Sequence, residues 1–242
     1  MFGVILATVS AFCLFIYKEI TFIPVHFYKK EKQKIRIARK NLKDISYYFL
    51  KILGTKVEII YKDKKSFEKL DKNKGIVLVA NHQSNFDIPV ILTGINFDLG
   101  FVAKQEMESW PFFYRWMKRG NYIFLNRSNP REGIKSIKKA VEIVKTGYPT
   151  VIFPEGERSI TGEIGEFKKG SFKLATDTNG IVIPITICGT INIQKRGNIK
   201  ISRKQKVKLI IEKLIDVSTL SEEEKKNLNI DVRNLIVKNY EY

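Results

Sequence analysis

Histidine is nearly absent from this chain, with two in 242 residues, and cysteine is as scarce, again with two. Cys13 and Cys188 lie far apart in apolar settings, which excludes a disulfide framework and cysteine-based metal spacing and fits a reducing compartment. Acidic residues are also in short supply: 25 Asp and Glu face 43 Lys and Arg, a formal net charge of +18. Such a surplus predicts an anionic partner, whether nucleic acid, an acidic membrane surface, or acidic and phosphorylated substrates. The first is disfavoured, because the basic residues are spread along the chain and no RRM, KH or helix-turn-helix signature appears. A basic nucleic-acid-binding protein stands only as a remote alternative. No internal repeat or low-complexity tract is present, and no G-x-S-x-G elbow surrounds Ser84.

What is abundant at the N-terminus is apolar surface. Residues 2 to 17, FGVILATVSAFCLFIY, carry no charge, and apolar character resumes after Lys18 and Glu19. As a helix the first run is about 24 Å long, short of the roughly 30 Å hydrocarbon core. Carried on through Val25, it spans a bilayer only with Lys18 and Glu19 near one interface. A signal peptide fits poorly, since no basic residue precedes the run and no convincing cleavage site follows it. Residues 29 to 44, KKEKQKIRIARKNLKD, then set eight basic residues against two acidic ones, and Ile45, Phe49 and Ile52 continue at helical spacing. A basic segment beside an apolar one suits an anionic leaflet. A solvated helix face and a nucleic-acid arm are the other readings.

From residue 56 onward short β-rich runs alternate with helical ones. Strands are expected at 56–60, 75–80, 99–103, 122–126, 150–154, 181–187 and 207–214. Helices are expected at about 87–95, 108–118, 131–146, 167–178 and 221–239, the last opened by a capping box of Ser221 and Glu224. This predicts an α/β fold: a mixed, largely parallel sheet of about seven strands flanked by helices, preceded by an N-terminal membrane-associating helical segment. The division expected is residues 1–54 as anchoring helices and 55–242 as one catalytic domain.

NHQSNFD, residues 81 to 87, follows the strand-like GIVLVA. His82 then lies in a strand-to-helix loop and Asp87 in the first helical turn, where the helix dipole favours a carboxylate. An imidazole with one nitrogen held by a carboxylate has a defined tautomer and a more basic second nitrogen, as proton abstraction from a hydroxyl or thiol requires. By itself the spacing is equally that of a satisfied loop histidine beside a helix cap. The pair is not by itself, however: FPEGERS, residues 153 to 159, also follows an apolar strand and sets Glu155, Gly156, Glu157 and Arg158 in one turn.

NHQSNFD and FPEGERS resemble the NHxxxxD and FPEGTRS motifs of the glycerolipid acyltransferase family, which includes 1-acylglycerol-3-phosphate acyltransferases. GNYIFLNR (120 to 127) and IVIPITI (181 to 187) are similar to two further blocks, in order, and FVAKQEM (101 to 107) and FKKGSFKLA (167 to 175) to intervening segments. The resemblance covers about residues 75 to 190. It departs at Glu157, where the family usually has threonine, and at Asn126, where an aspartate often precedes the arginine.

The resemblance implies that His82 is the general base and Asp87 its partner. The reaction implied is transfer of an acyl group from an acyl thioester, acyl-CoA or acyl carrier protein, to the sn-2 hydroxyl of a lysophospholipid. Glycerol 3-phosphate or another lysophospholipid is the alternative acceptor. No metal and no cofactor beyond the acyl carrier is implied. Lys104, Arg127, Glu155, Gly156 and Arg158 are the implied substrate-binding residues, the three cations for the acceptor's phosphate, because each follows a strand-like run and their loops open on one sheet edge. An anionic membrane at its cytoplasmic face is the expected location.

Overall fold

Every residue of Ile76–Ala80 and of Ile181–Cys188 is buried, as expected of strands covered on both faces at the centre of a sheet. The computed structural model describes residues 2–27, 30–71, 74–109, 111–126 and 130–240. The elements run α1 (Phe2–Phe22), a 3-10 turn (Ile23–Phe27), α2 (Glu31–Leu53), β1 (Lys56–Tyr61), α3 (Lys64–Glu68), β2 (Ile76–Ala80), α4 (Asp87–Gly94), β3 (Gly100–Lys104) and α5 (Pro111–Arg119). They continue with β4 (Ile123–Leu125), α6 (Pro130–Lys145), β5 (Thr150–Ile152), α7 (Lys173–Thr176), β6 (Ile181–Cys188), β7 (Lys206–Ile211), β8 (Ile215–Asp216) and α8 (Glu222–Lys238).

The sheet has eight strands in the order β1-β7-β6-β2-β5-β3-β4, with β8 also paired to β6. The fold is therefore the mixed, largely parallel α/β architecture expected. The seven expected strands are present; the two-residue β8 and the short α3 were not foreseen. The helix expected at 167–178 splits into a 3-10 turn, Lys169–Phe172, and α7. β2 to β6 run parallel, whereas β7 and β1, parallel to each other, oppose β6. β6 pairs β8 through residues 181–182 and β7 through 185–188. Pro184 sits between these two partners, where a missing backbone donor is tolerated in an otherwise central strand.

Alternation along β2 assigns its two faces. Ile76, Leu78 and Ala80 join a core with α1, α2, α4 and α5, while Val77 and Val79 join one with α6, α7 and α8. α2 buries Ile35, Ala38, Leu42, Ser46, Leu50 and Leu53 as a helical stripe, of which Ala38, Leu42, Leu50 and Leu53 join the first core. It ends at Gly54, whose φ of 67° is left-handed and suits glycine. α8 opens with the Ser221–Glu224 capping box, the Glu224 carboxylate accepting from the Ser221 N–H at 2.8 Å.

The N-terminal helices are built into this body. Phe22 and Phe15 pack edge-on against Trp116 at 5.1 and 6.1 Å between ring centres. Lys18 pairs with Asp44 at 2.7 Å, and Arg119 holds Glu19 at 2.9 Å. Among the described residues no helix is long and apolar enough to cross a membrane. The basic run is only partly available to a membrane surface. Arg39 is buried, donating to the Asp98 and Gly120 carbonyls at 2.7 and 2.8 Å and lying over the Tyr148 ring. Lys43 donates to the Ile95 carbonyl.

Candidate active site

Asn81 ends β2 by bonding both backbone groups of Ile187, at 2.8 and 2.9 Å, which locks the strand end to β6. His82 follows. Its Nδ1 lies 2.7 Å from Asp87 Oδ2, and the same oxygen accepts the backbone N–H groups of Gln83 and Ser84 at 2.7 and 2.9 Å. The second oxygen, Oδ1, accepts the Thr190 hydroxyl. Asp87 is fully buried, and an acceptor-only carboxylate so surrounded by donors requires the hydrogen on His82 Nδ1. In the neutral ring Nε2 then carries the lone pair.

The second turn positions the first. Glu155 Oε1 accepts the His82 N–H at 2.7 Å, and Oε2 accepts the Gly165 N–H at 3.0 Å. The His82 carbonyl accepts from the Ser159 N–H at 2.8 Å, so both backbone groups of the histidine are held by residues 155–159. The Phe153 ring stacks on the imidazole, 4.0 Å between centres and 15° between planes. Gly156, at φ 83°, makes the turn in a conformation that side chains disfavour. Glu155 thus braces backbone and, among the described residues, pairs with no arginine. Burial pushes its carboxyl above the usual range, against the lowering effect of its two backbone donors.

The carboxyl ends of β2, β3, β4, β5 and β6 face one edge, and the cations gather there. Lys104, closing β3, pairs with Glu157. Arg196 bonds the other Glu157 oxygen at 3.1 Å and donates to the Arg158 carbonyl at 2.8 Å. Arg158 is half-buried. Arg127 lies outside the described residues. The C-terminal segment braces the loop that follows this turn: on α8 Arg233 donates to the Ile164 and Gly165 carbonyls, and past its end Tyr240 donates to that of Gly162. Thr190 and Arg196 are absent from the sequence-based site. The only local sign of Thr190 is the preceding Gly189, at φ 93°, where a Cβ would meet the Lys206 carbonyl at 2.6 Å.

A model of the Acyltransferase family matches residues 58–188, more than half of the chain. The chain belongs to the acyltransferase family. Among its relatives, a probable 1-acyl-sn-glycerol-3-phosphate acyltransferase of Mycoplasma genitalium is 29% identical over 180 residues, covering 70% of this chain and 67% of the relative. The 1-acyl-sn-glycerol-3-phosphate acyltransferase of Borreliella burgdorferi is 32% identical over 174 residues, 72% of this chain and 69% of that enzyme. The crystal structure of the 1-acyl-sn-glycerophosphate acyltransferase PlsC from Thermotoga maritima superposes with a TM-score of 0.77 over 98% of this chain and 97% of that one, at 23% identity. At that identity the likeness speaks for the fold. The stretch matched to the family contains His82, Asp87, Lys104 and residues 153–158; Thr190 and Arg196 fall just past its end.

Proposed function

We propose that this acyltransferase moves a fatty acyl group from an acyl thioester to the sn-2 hydroxyl of 1-acylglycerol 3-phosphate, forming phosphatidic acid. The observation that carries this reading is a histidine with one nitrogen on a buried carboxylate, at the same sheet edge as Lys104, Arg158 and Arg196. His82 Nε2 takes the hydroxyl proton as the oxygen attacks the thioester carbonyl carbon. The tetrahedral intermediate expels the thiolate, the C–S bond breaks, and the imidazolium returns the proton to sulfur. Asp87 stabilises the imidazolium in between, and residues 155–159 hold the ring's backbone during both transfers. The phosphate of the acceptor is bound by the cations. The acyl carrier, acyl-CoA or acyl carrier protein, is a co-substrate, and the proposal includes no metal and no other cofactor.

The lipid acceptor connects the site to the N-terminal helices. Val9, Phe12, Ile16 and Ile20 recur at helical spacing along α1 and are exposed, as are Phe27 and, on α2, Tyr47 and Tyr48. Such a stripe, beside lysine-rich α2, suits a helix lying in one leaflet at the cytoplasmic face. An enzyme embedded there spares the acceptor about 0.8 kcal/mol for each methylene otherwise drawn into water. Replacing His82 with alanine tests the reading. Turnover of 1-acylglycerol 3-phosphate should fall at least about a hundredfold with the fold intact, and near-normal activity would end the proposal.

A further inference from the structure

Glu157 and Arg196 deepen this reading and rest on it. We infer that Glu157 is a resident anion in the acceptor's phosphate site, and that Arg196 is a phosphate ligand alongside Lys104 and Arg158. One carboxylate bridges two cations here, Oε1 to Lys104 and Oε2 to Arg196, as two oxygens of a phosphate would. The cations come from separate places in the chain, the end of β3 and the loop after β6, and meet only at this edge. Arg196 is held from behind, since its other terminal nitrogen donates to the Arg158 carbonyl. It therefore stays beside the FPEGERS turn when the carboxylate moves away.

The bridge is built to open. The side chains of Lys104, Glu157 and Arg196 are 38%, 47% and 34% exposed, and pairs in that setting hold by a factor of no more than about five each. A phosphomonoester brings a charge of about −1.5 to −2 and three acceptor oxygens, against one charge and two oxygens. It can match the arginine fork in a bidentate fashion while the lysine supplies a point charge. The phosphate displaces Glu157 and both cations transfer to it. Glu157 keeps the cations from standing uncompensated while the site is empty, and it weakens acceptor binding by the strength of the bridge. Threonine, usual at this position in the family, supplies no such competitor.

The test is steady-state kinetics of the full chain in mixed micelles, with acceptor and donor varied separately. Glu157→Gln and Glu157→Thr should each lower the acceptor's KM by about threefold or more, the value of one half-exposed pair, without a matching change in the donor's KM. Inorganic phosphate should also inhibit both variants at lower concentration. Arg196→Ala should raise the acceptor's KM about tenfold or more. A raised acceptor KM in Glu157→Gln would make the carboxylate an organiser of the cations and overturn the inference. So would an unchanged one, or a change confined to the donor. Failure of the unaltered enzyme to acylate 1-acylglycerol 3-phosphate overturns both this and the reading beneath it; normal turnover with unmoved KM values overturns this one alone.

Discussion

Asp87→Asn separates the charge of the His82 partner from its shape. The wild-type carboxylate takes three hydrogens on Oδ2, from His82 Nδ1 and the Gln83 and Ser84 N–H groups, and one on Oδ1 from Thr190. An asparagine fits this environment in one orientation. Its carbonyl oxygen must face the three donors, because its amide in that place would meet two backbone N–H groups. The amide then faces the Thr190 oxygen, which turns from donor to acceptor. Tautomer and ring position survive, and the negative charge does not. At the roughly 4 Å between charge centres of a contacting pair, a unit attraction is about 4 kcal/mol at an effective permittivity near 20, or about a thousandfold in rate. The neutral hydrogen bond that remains offsets part of this, so kcat should fall about 10²- to 10³-fold with the acceptor's KM little changed. Release of free thiol from the donor, followed with a chromogenic disulfide, reads kcat, and circular dichroism with thermal melting reads the fold. A folded variant within about fivefold of wild-type kcat would show that the buried charge does not stabilise the imidazolium.

Two further outcomes concern the brace and the membrane. Glu155→Gln can accept only one of the two backbone N–H groups now held, so urea denaturation should show a loss of about 1–3 kcal/mol; a stability equal to wild type would refute the brace. Burial raises the Glu155 carboxyl in the folded state, so its contribution is fully present below the unfolded value of about 4.3. That contribution is lost as pH rises toward the higher folded value, a limb that the glutamine variant should lack. On α1, Ile16→Asp with Ile20→Asp alters exposed positions and leaves Phe15, Phe22 and Glu19 on the protein body. Sedimentation with anionic vesicles should drop at least about tenfold, given about 1.5–3 kcal/mol for each isoleucine withdrawn, and full co-sedimentation would place the contact elsewhere.

Much of this protein could be read from short stretches. Strands buried on both faces appear as nearly continuous apolar runs, so β2 and β6 were legible in GIVLVA and IVIPITI, and the helices between them by period. The His82–Asp87 pair was legible as a contact, because five residues across a strand-to-helix turn can bring the two side chains together; its role was legible only with the second motif, FPEGERS, beside it. What no local pattern could state is which loops meet. Thr190 reaches Asp87 across 103 positions and Arg196 reaches Glu157 across 39, contacts that exist only because β6 lies beside β2 and β5 on its other side. Glu155 read as a polar ligand group, and the sheet turned it toward the backbone of His82. Arg39 read as one cation in a basic run, and packing buried it on the inner face of α2, where it donates to two carbonyls and lies against two tyrosine rings. Residue type and spacing determine the elements and the chemistry within one turn; strand order, set by the burial of both sheet faces at once, decides what stands around them.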